Sequence, residues 1–269
     1  MIPGLTDGSI LRISMKTRLD QALVDRGLCE SRTRAQRLIM AGKVRVNGQV
    51  GQKSGQLVSA DAVVELEQNE RFVSRGGGKL EHALVAFGID VTKLNALDLG
   101  ASTGGFTDCL LQHGAARVWA VDVGQGQLVW RLRTDPRVVV MEKTNARYLT
   151  LADFGAGFPP FAFICIDCSF ISLRMILPAA ERLLASGGSI VALIKPQFEA
   201  GKEEVDRGAG VITDPAIHHR VISELEAFVA RDLFRLKWQR VTESPLPGPA
   251  GNREFLVWLQ ASGTHGLSA

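Results

Sequence analysis

From Arg18 onward the apolar positions of the chain recur first at a helical period and then at a period of two. Leu19, Ala22 and Leu23 share one face of a short helix that Gly27 ends. Ser31 is placed to cap a second helix through Met40, with Ala35, Leu38 and Ile39 on its buried side. After Gly42, Val44 and Val46 alternate, Asn47-Gly48 supplies a type I′ turn, and Val50 opens the return strand of a hairpin. Val63, Val64 and Leu66 predict one more strand. Residues 1–15 carry no such pattern, precede a second methionine at Met15, and are expected to be a disordered extension.

A different rhythm starts at Ala96. Apolar runs at Ala96–Leu99, Arg117–Asp122, Val138–Glu142, Phe161–Ile166, Ser189–Ile194, Leu236–Thr242 and Glu254–Gln260 are separated by helical stretches, which predicts a doubly wound, mostly parallel α/β sheet of seven strands. The last two runs are close enough in sequence to form an antiparallel closing pair. The expected organisation is therefore an extension (1–15), a small α+β domain (16–70), a linker (71–75), a Rossmann-like α/β domain (76–262) and a tail (263–269).

Charge sharpens this division. The net charge is only +3, yet Lys16 to Val50 holds eight Lys and Arg against three Asp and Glu. A basic module beside a near-neutral one implies a polyanion held by the first and worked on by the second. No apolar core of a secretory signal lies between Met1 and Leu11, and the apolar run Phe154–Ile166 is interrupted by Gly155, Gly157, Pro159 and Pro160. Neither suits a membrane span of about 20 residues, so a cytoplasmic protein is expected. The four cysteines, Cys29, Cys109, Cys165 and Cys168, lack the spacing of a disulfide framework. Cys165-x-x-Cys168 sits in an apolar run without a second such pair, so no metal is expected.

The segment RLDQALVDRGLCESRTRAQRLIMAGKVRVNG, with Arg34 and Arg37 on one exposed helical face and Arg32 near its first turn, resembles an S4 RNA-binding domain. That resemblance implies RNA contacts from Arg18, Arg32, Arg34, Arg37, Lys43 and Arg45. Arginine suits the role because its planar fork matches a phosphate with two hydrogen bonds.

In the larger domain the first strand runs straight into Leu97-Asp98-Leu99-Gly100-Ala101-Ser102-Thr103-Gly104-Gly105-Phe106. Glycines here allow a sharp turn and close backbone approach to a ligand. The spacing is not the G-x-G-x-x-G of nicotinamide sites. Asp98 on the strand would repel a pyrophosphate and favour a cationic ligand, while Asp122, ending the second strand, is placed to bind ribose hydroxyls. S-adenosylmethionine is such a cation, and DLGASTGGFT resembles motif I of class I methyltransferases. The resemblance implies cofactor contacts from Asp98, Gly100, Ser102, Thr103, Gly104, Gly105, Phe106 and Asp122. Asn145, after the third strand, is either an adenine contact or a plain turn residue.

Four further segments carry the chemistry. Arg75-Gly76-Gly77-Gly78-Lys79 precedes a predicted helix, Leu80 to Phe87. Asp167 follows the fourth strand, Lys195 follows the fifth, and Glu254 opens the last. Ligands of open α/β sheets bind beyond the carboxyl ends of the parallel strands, so Asp167 and Lys195 should meet beside the cofactor. A ribose hydroxyl is a poor nucleophile, and a desolvated lysine near a second cation can accept or steer its proton, with the two carboxylates holding the lysines in place. SRGGGKL, LDLGASTGGFTD, DCSFISL, LIKPQFEAG and GNREFLVWL together resemble the TlyA-type proteins, which join an S4 domain to a methyltransferase domain of the FtsJ class. The resemblance runs from Lys16 to Leu259. It implies 2′-O-methylation of cytidine in ribosomal RNA, ribosomal RNA or ribosomal subunits as partner, and a tetrad of Lys79, Asp167, Lys195 and Glu254. Proteins of this type also carry the name haemolysin. A membrane-active protein is thus the competing reading, but the amphipathic or apolar insertion segment it requires is not evident.

Overall fold

The computed structural model describes residues 16–66, 71–248 and 250–263, so the expected extension at 1–15 and all but one residue of the expected tail lie outside the described residues. The chain divides into two units, residues 1–69 and 70–269.

In the first unit, β1 (Thr17–Arg18) leads into α1 (Leu19–Asp25), followed by α2 (Arg32–Met40), β2 (Val44–Val46), β3 (Gln49–Val50), β4 (Leu57–Val58) and β5 (Val64–Leu66). The expected signals hold. Ser31 Oγ accepts the Arg34 amide to cap α2, and Gly27 and Gly42 follow their helices with φ of +69°. Asn47 and Gly48 take φ of +50° and +80°, which places Val46 opposite Gln49 in the hairpin. Strands β3-β2-β5 form one antiparallel sheet, while β1 pairs with β4 in a second that the hydrophobic pattern did not reveal. Leu19, Leu23, Ala35, Ile39, Val44 and Val64 make the core. Val63, expected in the last strand, lies just outside it and is exposed.

The second unit begins with α3 (Gly76–Phe87), then β6 (Asn95–Leu99), α4 (Gly105–Gln112), β7 (Arg117–Val121), α5 (Trp130–Arg133), β8 (Val138–Met141), β9 (Phe161–Ile166), α6 (Leu173–Leu183), β10 (Leu184–Ile194), α7 (Pro196–Glu199), α8 (Lys202–Arg207), α9 (Pro215–Asp232), β11 (Leu236–Glu243) and β12 (Phe255–Ala261). Seven strands form one sheet in the order β11-β12-β10-β9-β6-β7-β8. Strands β8, β7, β6, β9 and β10 are parallel, and β12 inserts antiparallel between β10 and β11.

Continuous apolar runs fit strands buried on both faces. In β9, Phe161, Ile164 and Ile166 enter the core beneath α6 and α9, whereas Phe163 and Cys165 enter the core beneath α3 and α4. Cys165 is therefore a core residue, and all four cysteines are free thiols.

Two boundaries depart from the sequence pattern. Residues 71–75, expected to be a linker, are packed: Phe72 is buried and the Val73 amide donates to Asp108 Oδ2 at 2.8 Å. The helix expected to start at Leu80 starts at Gly76, which puts Lys79 inside its first turn. Glycine opposes helix by about 1 kcal/mol per residue, but Phe72 occupies the space where a Gly77 Cβ would stand. Close packing thus requires glycine at a position where propensity disfavours it. At the other end of the domain, β10 begins at Leu184 rather than Ser189, with a register shift between those two residues.

Candidate active site

The carboxyl ends of β6, β7, β9 and β10 surround two adjoining cavities. The first, of about 260 Å³, is lined by Lys79, Asp167, Lys195 and Glu254 together with Arg75 and Phe106. The second, of about 510 Å³, is lined by Asp122, Asn145, Cys168 and Phe170 and by the apolar Val121, Ala146, Ile171 and Ile176. Gly100, Ser102, Asp167 and Ser169 border both.

The sequence-derived tetrad thus meets in one place, arranged as two pairs. Lys79 donates to Glu254 Oε2, and both side chains are almost fully buried. Helical side chains lean toward their N-terminus, so Lys79 in the first turn of α3 points back to the cavity. Lys195 Nζ lies 2.6 Å from Asp167 Oδ1, in the geometry of an ion pair rather than an aligned hydrogen bond, and donates to Ser169 Oγ at 2.8 Å. A charge taken this far from water must be paired, and each lysine here has its own carboxylate. The Phe198 ring lies 5.9 Å from Lys195 Nζ.

The glycine turn is built for contact between loops as much as for a ligand. A Cβ on Gly100, whose φ is +89°, would stand 2.7 Å from the Asp167 carbonyl oxygen. On Gly104, with φ of +100°, it would strike Leu132 and Leu128, and on Gly105 it would strike Ser74. Gly104 lines neither cavity and packs against Leu128 and Leu132, while Gly105, Thr103 and Phe106 line the first cavity and Ser102 borders both. Asp122 accepts the amides of Ser102 at 2.8 Å and Gly124 at 2.7 Å, which fixes its carboxylate at the mouth of the second. Asn145 also borders that cavity, its Oδ1 accepting the Arg147 amide at 3.1 Å.

Asp98 is a correction of place. It lines neither cavity but lies fully buried beneath the turn, where Oδ2 accepts from Thr107 Oγ1 at 2.6 Å and Oδ1 has no hydrogen-bond partner. Burial raises its carboxyl to about 7, the Thr107 hydrogen bond opposes the rise, and the nearby Asp167 charge adds to it. A raised acid gives the folded state more protons than the unfolded chain between about pH 4 and the folded value. Its stabilisation is full below the unfolded pKa and is lost as pH climbs through about 7. Thermal midpoints should therefore fall between roughly pH 5 and pH 8, and fall less in Asp98→Asn. Parallel profiles for the two proteins would exclude this assignment.

Several lining residues gave no signal in the sequence. Ser169 and Gln127, the latter accepting from Ser102 Oγ at 3.1 Å, are ordinary polar loop residues. Phe170 is 90% exposed, adopts φ of +62° and lies 5.2 Å from the Phe198 ring. A large side chain in the left-handed region is uncommon, and this one presents a stacking face at the cavity mouth. Cys168, beside Asp167, is held up at about 12 by burial, which keeps it a thiol at neutral pH. Among the described residues no cluster of three or more His, Cys, Asp and Glu is placed to hold a metal ion.

In the first unit the six basic residues read from the sequence divide by environment. Buried Asp20 collects Arg18 at 3.1 and 3.2 Å, Arg32 at 3.0 Å, Gln36 at 2.9 Å and the Gln21 amide at 2.9 Å. The Arg18 guanidinium is the main cause that holds its carboxyl far below the usual range. Arg18 and Arg32 are thus anchored, each about half exposed. Arg34, 3.5 Å from Glu30, and Arg37 lie on the exposed face of α2. Lys43 and Arg45 flank the start of the hairpin, with Arg45 donating to the Gly48 carbonyl at 3.3 Å.

The second cavity is large enough for a nucleoside-sized ligand, and its Asp122 and Asp167 carboxylates would repel a pyrophosphate and attract a cation. A ribose-bearing sulfonium answers both demands: Asp122 would take the ribose hydroxyls, and Val121, Ala146 and Ile176 would take the adenine. The fold and site are those of a methyltransferase. The FtsJ-like methyltransferase profile matches residues 72–261, and the S4 domain profile matches residues 17–64. Over 96% of this chain and 94% of the relative, the sequence is 47% identical to the 16S/23S rRNA (cytidine-2'-O)-methyltransferase TlyA of Mycobacterium tuberculosis. It is 43% identical to Hemolysin A of Brachyspira hyodysenteriae, over 89% of this chain and 98% of that one. The solved structure of a hemolysin-named protein from Streptococcus thermophilus is similar at 43% identity and a TM-score of 0.70, covering 93% of this chain and 90% of that one. The chain belongs to the TlyA-type family of FtsJ-like, S-adenosylmethionine-dependent methyltransferases that carry an S4 domain.

Proposed function

We propose that this enzyme methylates a ribose 2′-hydroxyl, that of cytidine, in ribosomal RNA in the cytoplasm, and that its S4 unit holds the RNA. The observation that carries this reading is the placement of both lysine–carboxylate pairs on one cavity whose border with the Asp122 cavity is shared at Asp167 and Ser169. The relative named for cytidine 2′-O-methylation supports the same acceptor.

When bound, S-adenosylmethionine supplies an electrophilic methyl group on a sulfonium. The rest falls to the chain. An ammonium has three N–H donors; Lys195 gives one to Ser169 Oγ while its charge pairs with Asp167, and a remaining donor would orient the ribose oxygen. Asp167 retains an exposed edge, at 23% against 1% for Glu254, and so offers the departing hydroxyl proton a route to solvent. Glu254 holds Lys79 as a second fixed cation beside the acceptor. Alignment of this kind supplies roughly 7–11 kcal/mol of barrier reduction in well-oriented reactions. The membrane-active reading gains nothing from the fold: among the described residues no helix is long and apolar enough to cross a membrane.

The test is to map 2′-O-methyl groups on ribosomal RNA incubated with enzyme and cofactor. Discrete ribose sites are expected, and methyl groups found only on bases, or none, would refute the reading. In RNA-binding titrations at several salt concentrations, Arg34→Ala with Arg37→Ala should weaken RNA binding and reduce its salt slope by about 0.7 for each lost single-strand phosphate contact. An unchanged slope would remove these two arginines from the RNA face.

A further inference from the structure

Lys195 and Asp167 stand on different loops, one after β10 and one after β9, and their separation of 2.6 Å depends on how those loops are joined. Behind the pair stands Glu199, at the end of the four-residue helix α7 that begins directly after Lys195. Its two carboxylate oxygens reach across to the other loop. Oε2 accepts from Ser172 Oγ at 2.6 Å, and Oε1 accepts from the Leu173 amide at 2.6 Å. Ser172 is the N-cap of α6, and its Oγ accepts in turn from the Arg174 amide at 3.2 Å. A carboxylate at this end of a helix meets both unpaired amides and the positive end of the dipole.

The polypeptide between these anchor points is short. Asp167 lies five residues before Ser172, and Lys195 four residues before Glu199. Glu199 therefore closes a frame with the Lys195–Asp167 pair at one end and the α6 cap at the other, with the Phe170–Phe198 contact of 5.2 Å between them. Burial raises the Glu199 carboxyl, while the Ser172 and Leu173 hydrogen bonds oppose that rise.

We propose that Glu199 is a positioning residue for methyl transfer: it staples the loop of Lys195 to the cap of α6 and so sets the distance and angle between Lys195 and Asp167. Glu199 lines neither cavity, so it acts through the pair and does not meet the acceptor. The proposal rests on the reading of Lys195 and Asp167 as the methyl-transfer pair.

The test compares Glu199→Ala, Glu199→Gln and Ser172→Ala in the full-length enzyme, with kcat and KM on ribosomal RNA and cofactor Kd by calorimetry. A misplacement of about 1 Å can cost on the order of 100-fold in rate, so Glu199→Ala should lose roughly tenfold to 100-fold in kcat with cofactor Kd and RNA KM within about twofold of wild type. Glutamine can still accept from the Leu173 amide and donate to Ser172 Oγ, so Glu199→Gln should recover most of the rate. Ser172→Ala keeps the Leu173 half of the staple, and should show a smaller kcat loss in the same direction even if Glu199→Ala fails to fold. The inference is overturned by wild-type kcat in folded Glu199→Ala or in Ser172→Ala, by glutamine as impaired as alanine, or by a loss that matches only the unfolded fraction. A wild-type enzyme that methylates no ribose would sink the underlying reading instead, and the two failures are thus told apart.

Discussion

Replacement of Lys195 by alanine is expected to lower kcat by at least about 100-fold, the lower end of what a positioned proton-handling group contributes, with cofactor affinity nearly unchanged. Lys195 borders the tetrad cavity and not the one lined by Asp122 and Asn145, so its loss removes nothing that would touch the cofactor's ribose or adenine. Stability should change little as well. Asp167, left without its partner, retains an exposed edge through which water can solvate it. Single-turnover methyl transfer to ribosomal RNA measures the first effect and titration calorimetry the second. Arginine at this position should not restore the rate, because its planar fork cannot stand in the place of a compact ammonium between Asp167 Oδ1 and Ser169 Oγ. A Lys195→Ala enzyme with wild-type turnover would remove Lys195 from the mechanism altogether.

Two members of the tetrad were legible from features that sequence reveals well, and the family resemblance supplied the set of four. Asp167 and Lys195 close apolar runs of the parallel sheet, and such runs mark strands whose carboxyl ends carry chemistry. The seven strands and the antiparallel pairing of the last two likewise follow from seven apolar runs, whereas the strand order, with β12 inserted beside β10, comes from the structure. What escaped is what tertiary packing decides. Gly76-Gly77-Gly78 reads as loop by propensity but lies in a helix, where Phe72 fills the space that a side chain at Gly77 would need. Gly104 reads as a ligand glycine, and its need for glycine also comes from Leu128 and Leu132, which are 24 and 28 residues away. Asp98 is correctly placed on its strand, but its side chain is turned beneath the loop toward Thr107, and no local pattern encodes that choice. Phe170 is exposed and outside any periodic element, so neither hydrophobic period could single it out.

Removing Glu254 should strongly destabilise the methyltransferase domain. Its carboxylate is 1% exposed and accepts from Lys79, itself 9% exposed, within a cavity wall shaped for the pair. Gly248 leaves the room: a Cβ there would stand 2.5 Å from Glu254 Oε1. With Glu254→Ala the Lys79 ammonium stays buried without a partner, a defect that costs about 3–5 kcal/mol. For a domain of this size each kcal/mol moves the midpoint by roughly 2–4 °C, so a fall on the order of 10 °C is expected by calorimetry. Activity should fall with it, but the two losses have different origins. Replacing both members by apolar residues, Lys79→Met with Glu254→Leu, removes the unpaired charge and should recover most of the midpoint, since buried ion pairs are often matched by well-packed hydrophobic ones. It should not recover methyl transfer, because the second fixed cation beside the acceptor is gone. A double variant that regains both midpoint and turnover would make the pair a packing device alone and leave Lys195 and Asp167 to carry the reaction.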